Sequence, residues 1–239
     1  MNIIIENIRK DLIRNADENI KKSGEKFFKE DVLMYGLKSE MTTSIGKEHF
    51  KELAEKSKVA VFGYCHELWA SGYMEESFIA CNWSYNVRKE FKPEDFKVFE
   101  TWIYNHVKNW ASCDTFCNHT VGVFIEMYPS FLQELKVWAK SENKWMRRAS
   151  AVSLIVPARH GKFLKEIFEL AEIMLMDKED MVQKGYGWML KSASQAYQKE
   201  VFDYVMKRKD VMPRTSLRYA IEKMPTDLRT RAMEKPGKA

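Results

Sequence analysis

The sequence predicts an all-α protein, a curved α-solenoid of antiparallel helical hairpin repeats, and three observations carry that expectation. Apolar residues recur at three- and four-residue intervals, as in FLKEIFELAEIMLM from Phe163, which is the spacing of one helix face. Runs of alternating, strand-like character are scarce. Turn signals cut the chain into short segments that come in pairs: KPED near Lys92, YPS near Tyr128, SENK near Ser141, PARHG near Pro157, MDKED near Met176 and VMPR near Val211.

The second members of the late pairs resemble one another. They are WMRRASAVSLI from Trp145, MVQKGYGWMLK from Met181 and MPRTSLRYAIE from Met212, so the repeat is 36 and then 31 residues long. Each opens on a large apolar residue, continues through polar or basic ones and reaches a small one, Ala149, Gly185 or Ser216, before the next apolar stretch. That period is close to the armadillo and HEAT class of helical-hairpin repeat. Small residues at one register let neighbouring helices approach closely, and the basic residues just upstream line one edge of the stack. Residues 1–239 are expected to form a single HEAT-like repeat domain, with 1–57 as N-terminal capping helices and 224–239 as a flexible C-terminal tail.

Composition sets the limits. With 239 residues, 45% of them hydrophobic, the chain can bury a sizeable core. Its formal net charge of +5, from 39 basic and 34 acidic residues, permits a nucleic-acid partner without establishing one. The N-terminus MNIIIENIRKDLIRN holds only a short apolar run, and no apolar stretch of about 18 residues follows, so neither a signal peptide nor a membrane span is expected. Four cysteines scattered through helical segments fit a reducing, cytoplasmic setting. Cys113, Cys117 and His119, with Cys65 and His66, are the residues to weigh as zinc ligands, but the tight C-x-x-C knuckle and a second pair are both missing. No metal or other cofactor is expected, no phosphate-cradling glycine loop occurs, and a monomer is the default.

The most informative stretch is NWASCDTFCNHTVG from Asn109. It places Trp110 and Asp114 four residues apart, so on a helix an indole and a carboxylate share a face. Trp145 with Arg148, and Lys184 with Trp188, repeat the charge and aromatic pairing at helical spacing. An electron-rich ring beside an anion, flanked by cations on neighbouring helices, suits a cationic ligand that is itself part of a polyanion, and alkylated DNA meets that description. Arg147, Arg148, Lys184, Lys191, Arg214 and Arg218 are the candidate phosphate contacts. Each has a structural alternative: the basic residues as solvated surface charge, Arg148 as partner of an acidic neighbour, Trp110 and Trp188 as core, and Asp114 as the N-cap of a helix beginning ASCDTF.

Taken in order on successive repeats, NWASCD, WMRRASAV and QKGYGWMLK resemble the DNA alkylation repair family of HEAT-like-repeat alkylpurine DNA glycosylases, from about Phe27 to about Tyr219. The resemblance implies that Trp110 and Asp114 are catalytic, that Trp188 is the second tryptophan of the site, and that Arg148 grips the backbone near the lesion. FFKEDVLMYGLKS is similar to the family's segment in which an aromatic residue, usually tyrosine, stacks against DNA. Phe27 stands there, keeping the ring and losing the hydroxyl, and Ser39 stands near the family's small hydroxyl residue. The implied partner is double-stranded DNA containing alkylated bases, and a shallow arc implies that the lesion is held exposed instead of flipped into a pocket.

The chemistry follows from the lesion. Alkylation at N3 of adenine or N7 of guanine puts positive charge on the base and makes it a good leaving group. Positive charge then moves to the deoxyribose, and a carboxylate with ring faces stabilises it. A non-catalytic HEAT-like scaffold that binds DNA structures or a protein partner is the alternative.

Overall fold

A computed structural model describes residues 2–234, and every regular element among them is a helix, as the apolar spacing predicts. The chain divides into two compact units, Met1–Thr120 and Val121–Ala239.

The first unit begins with α1 (Ile3–Arg14), whose N-cap Asn2 accepts a hydrogen bond from the Ile4 amide at 3.2 Å and whose Ile5, Ile8 and Leu12 form its buried stripe. In α2 (Glu18–Glu25) the Asp17 side chain caps two amides, those of Asn19 and Ile20, at 2.7 and 3.2 Å. A stretch without regular structure leads to α3 (Ser39–Glu52), α4 (Lys58–Ala70), α5 (Met74–Asn86), α6 (Asp95–His106) and α7 (Trp110–Phe116). Helices α3, α5 and α7 pack side by side in one row, and α4 packs on α5 and α6. Phe116, the last residue of α7, sits among Trp69, Phe99 and Trp102 with ring centroids 5.6, 5.6 and 5.8 Å away. That aromatic cluster anchors the underside of α7, and burying rings of this size is the main source of the unit's stability.

The second unit holds α8 (Gly122–Met127), α9 (Leu132–Trp138), α10 (Lys144–Val152), α11 (Ile155–Arg159), α12 (Leu164–Ile173), α13 (Asp180–Ala193), α14 (Gln198–Arg208), α15 (Arg214–Ile221) and α16 (Thr226–Met233). The three aligned repeat sequences fall on α10, α13 and α15, which stack in that order, with α13 against α15 the most extensive helix contact of the protein. Gly187 explains the closeness: a Cβ there would stand 2.7 Å from Tyr219 Cβ and 2.9 Å from the Ser216 carbonyl oxygen. Gly185, the small residue of the aligned register, has more room, since its Cβ would meet Arg148 Cγ at 3.4 Å.

Most predicted breaks fall between helices. Pro157 does not: it lies inside α11, and the chain turns just after it, where Gly161 and Phe163 adopt φ of 73° and 62°. A proline in the first turn of a helix loses no intrahelical hydrogen bond, so Pro157 is accommodated there and the left-handed residues follow the helix end. Of the expected C-terminal tail, 226–233 form α16, and 235–239 lie outside the described residues. No helix among the described residues is long and apolar enough to cross a membrane.

Candidate functional site

Seven tryptophans occur in the chain, and their burial separates them. Trp69, Trp83, Trp102, Trp138 and Trp145 are core residues, each 5% exposed or less. Trp110 and Trp188 are the two that remain partly exposed.

Trp110 opens α7. The preceding Asn109 is the N-cap, its Oδ1 accepting the Ser112 amide at 2.8 Å, so Asp114 lies within the helix, one turn beyond Trp110 on the same face, and is not a cap. Asp114 is 9% exposed. The back of α7 is tied to α5 by a hydrogen bond between the Ser112 and Ser77 hydroxyls at 2.7 Å. The ring of Phe28 stacks on Trp110, with centroids 5.4 Å apart and planes 26° from parallel. Phe27, the residue expected from the sequence to stack against DNA, is 74% exposed. Ser39 is exposed at the first turn of α3 and, with Glu40, Thr43, Ser44 and Lys47, lines an open cavity of about 440 Å³.

Two buried carboxylates hold the segment that carries Phe28. Glu75, 2% exposed, accepts the amides of Tyr35, Gly36 and Leu37 at 3.0, 2.9 and 3.2 Å. Glu76, fully buried, takes Arg9 in a bidentate pair, with Nη2 at 3.0 Å, and the Tyr35 hydroxyl at 2.8 Å. Burial, and next the Glu76 carboxylate, push the Tyr35 hydroxyl well above the ordinary phenol range. The Glu76 hydrogen bond likewise raises the Arg9 guanidinium. The protonated phenol and the charged guanidinium are therefore the fixed donors of this platform. At Gly36, φ is 95° and a Cβ would stand 2.5 Å from the Asp17 carbonyl oxygen, so the turn into α3 requires glycine.

In the second unit Arg148 is 5% exposed, its stem lies over Gly185, and its Nη1 donates to the Met181 carbonyl. Arg147 directs its donors to protein acceptors: Asp177 at 2.6 and 3.3 Å, the Ser141 carbonyl at 2.8 Å and that of Glu142 at 3.0 Å. It ties the turn before α10 to the turn before α13. On α13, Lys184 pairs with Asp180 at 2.8 Å. Lys191 lies 6.0 Å from the Trp188 ring and 5.4 Å from that of Tyr219, and bonds Glu222 at 3.0 Å. Arg214 and Arg218 are exposed on α15.

Among the described residues no group of three or more His, Cys, Asp or Glu side chains could hold a metal. All four thiols are buried, and burial pushes those of Cys65 and Cys81 far above the usual range, which keeps them protonated. Sequence reading missed Phe28, Glu75 and Glu76. An acidic pair at a helix start next to apolar residues was the available signal for the last two.

The DNA alkylation repair enzyme family model matches residues 8–224. No curated protein sequence matches the chain. Among solved structures, a predicted DNA alkylation repair enzyme from Enterococcus faecalis is similar in fold, with a TM-score of 0.77 at 14% identity over 89% of this chain and 98% of that one.

Proposed function

The chain belongs to the family of DNA alkylation repair enzymes and so has a role in DNA repair, and from that premise we propose that it hydrolyses the N-glycosidic bond of cationic alkylated purines, N3-methyladenine and N7-alkylguanine, in duplex DNA. One observation carries the reading: five tryptophans go to the core, and the two left partly exposed are Trp110 and Trp188. A partly exposed indole keeps part of its ring open to a ligand, which suits the role proposed for both.

The proposed chemistry uses three groups. Asp114 supplies the anion, and its limited exposure makes its field on a nearby cation stronger than that of a carboxylate in open water. Trp110, backed by Phe28, and Trp188 present ring faces to the developing oxocarbenium, each contributing about 0.5–2 kcal/mol by cation–π attraction. The alkylated base leaves readily because its own charge has weakened the bond, so no strong general acid is required. Selectivity then resides in the leaving group, and a neutral base gains little.

DNA binding in this reading draws on Arg214 and Arg218, exposed on α15, and on Lys184 and Lys191 of α13, which exchange Asp180 and Glu222 for phosphate. Arg148 serves close to the lesion. The interactions of Arg147 support a structural role for it. Phe28 is the ring that backs Trp110, and the exposed Phe27 and Ser39 are the residues proposed to meet DNA directly. The test is release of methylated base from alkylated duplex DNA by the wild type, Asp114→Asn and Trp188→Ala. Asp114→Asn is expected to lower the single-turnover rate by about a hundredfold or more, the scale of removing one preorganised electrostatic group. Undiminished release by Asp114→Asn removes this mechanism.

A further inference from the structure

Beyond Phe116 the helix carrying Trp110 and Asp114 does not end but widens into a π turn, Cys117–Val121. Such turns are rare, and they are frequent at functional sites. Asn118 lies on it, four residues after Asp114 and eight after Trp110, so the three form one stripe along the helix. Most polar side chains around it have clear partners. Asn109 caps Ser112, Ser112 bonds Ser77, Thr115 bonds the Ala111 carbonyl at 2.8 Å, and Thr120 bonds Ser84 at 3.1 Å. Asn118 differs, because its Oδ1 is buried and accepts no hydrogen bond. A buried acceptor without a partner calls for an explanation, and for one on the same stripe as Asp114 a donor arriving with a ligand supplies it.

We propose that Asn118 is a positioning residue for the attacking water, its Oδ1 and the Asp114 carboxylate each accepting one of the water's two hydrogens. This rests on the glycosylase reading. In the step, the C1′–N9 bond breaks and its electron pair stays on N9, neutralising the cationic base. The water oxygen bonds C1′, and one water proton passes to Asp114 and then to solvent. The products are the neutral alkylated base and an abasic sugar. Asn118 gains and loses no proton; it fixes the direction from which the oxygen lone pair approaches.

The experiment measures single-turnover release of N7-methylguanine from duplex DNA by the wild type, Asn118→Ala, the shape-filling Asn118→Leu and Asn118→Asp, with affinity for duplex containing an abasic analogue and the unfolding midpoint measured for each. Both variants lacking the acceptor are expected to be about tenfold to a hundredfold slower, the scale of misplacing one reacting group. Their affinity and midpoint stay at wild-type values, and Asn118→Asp, which keeps an oxygen in place, holds within about threefold of the wild-type rate. Wild-type rates in Asn118→Ala and Asn118→Leu overturn the proposal, as does equal loss in all three variants. If the wild type releases no base, the glycosylase reading fails and this inference falls with it, a result distinct from an active wild type with active variants.

Discussion

Helices α7 and α13 each keep one indole partly exposed, and they are held in place by different means. Besides the aromatic cluster around Phe116, α7 has polar supports: the Asn109 cap, the Ser112–Ser77 hydrogen bond, and the Glu75 and Glu76 carboxylates that hold the segment leading from Phe28 into α3. Beneath α13 the support is missing volume, with Gly187 letting α15 approach to backbone distance and Gly185 seating Arg148. Hydrogen-bonded supports respond to loss of a partner or to pH, whereas close-approach supports respond to added atoms. The two regions should therefore fail under different perturbations.

The largest effect is expected for Glu76→Ala, which strips Arg9 and the Tyr35 hydroxyl of their shared buried acceptor and should lower the unfolding free energy by about 3 kcal/mol. Urea unfolding measures it, and a loss below about 1 kcal/mol would show the platform to be dispensable. Gly187→Ala comes next. Its methyl group meets the Ser216 backbone, which cannot swing aside, and a loss of about 2 kcal/mol is expected by the same assay. Gly63 sharpens the contrast: it lies in α4 of the first unit with nothing within 4 Å of an added Cβ, so Gly63→Ala should stabilise by about 0.5–1 kcal/mol through helix propensity. Equal destabilisation by the two glycine substitutions would erase the distinction.

The smallest effect concerns pH. Burial, then His66 and Lys108, hold the His106 imidazole below its ordinary range. Between that lowered folded value and the unfolded value of about 6.5, the unfolded chain binds more protons, so stability falls as pH drops through this window and is unaffected above it. His106→Gln is expected to shrink the decline in urea midpoint between about pH 7.5 and pH 5.5, and an unchanged decline would place the titration elsewhere.

What the sequence made legible was local. Trp110 and Asp114 could be placed on one face because a four-residue spacing fixes it, and the α10, α13 and α15 register could be read because each repeat carries its own apolar pattern. Long-range partners were hidden. The stack of Phe28 on Trp110 joins a non-helical segment to a helix far along the chain, and Glu75, forty residues beyond Tyr35, ties down the end of that segment. The occupation of Arg147 depends on Asp177, thirty residues on, and neither pairing leaves a periodic trace. Gly187 was overlooked beside Gly185 because register alone cannot show which glycine faces a backbone.

In the proposed mechanism Trp110 and Asp114 of the first unit and Trp188 of the second each act by stabilising positive charge. Its most direct test compares, in one duplex sequence, the enzyme's acceleration of N7-methylguanine release with its acceleration of release of a neutral lesion, hypoxanthine. Acceleration of the cationic base alone is expected, reduced in Trp110→Ala and Trp188→Ala, with the neutral base leaving at its uncatalysed rate. Comparable acceleration of both bases would contradict it.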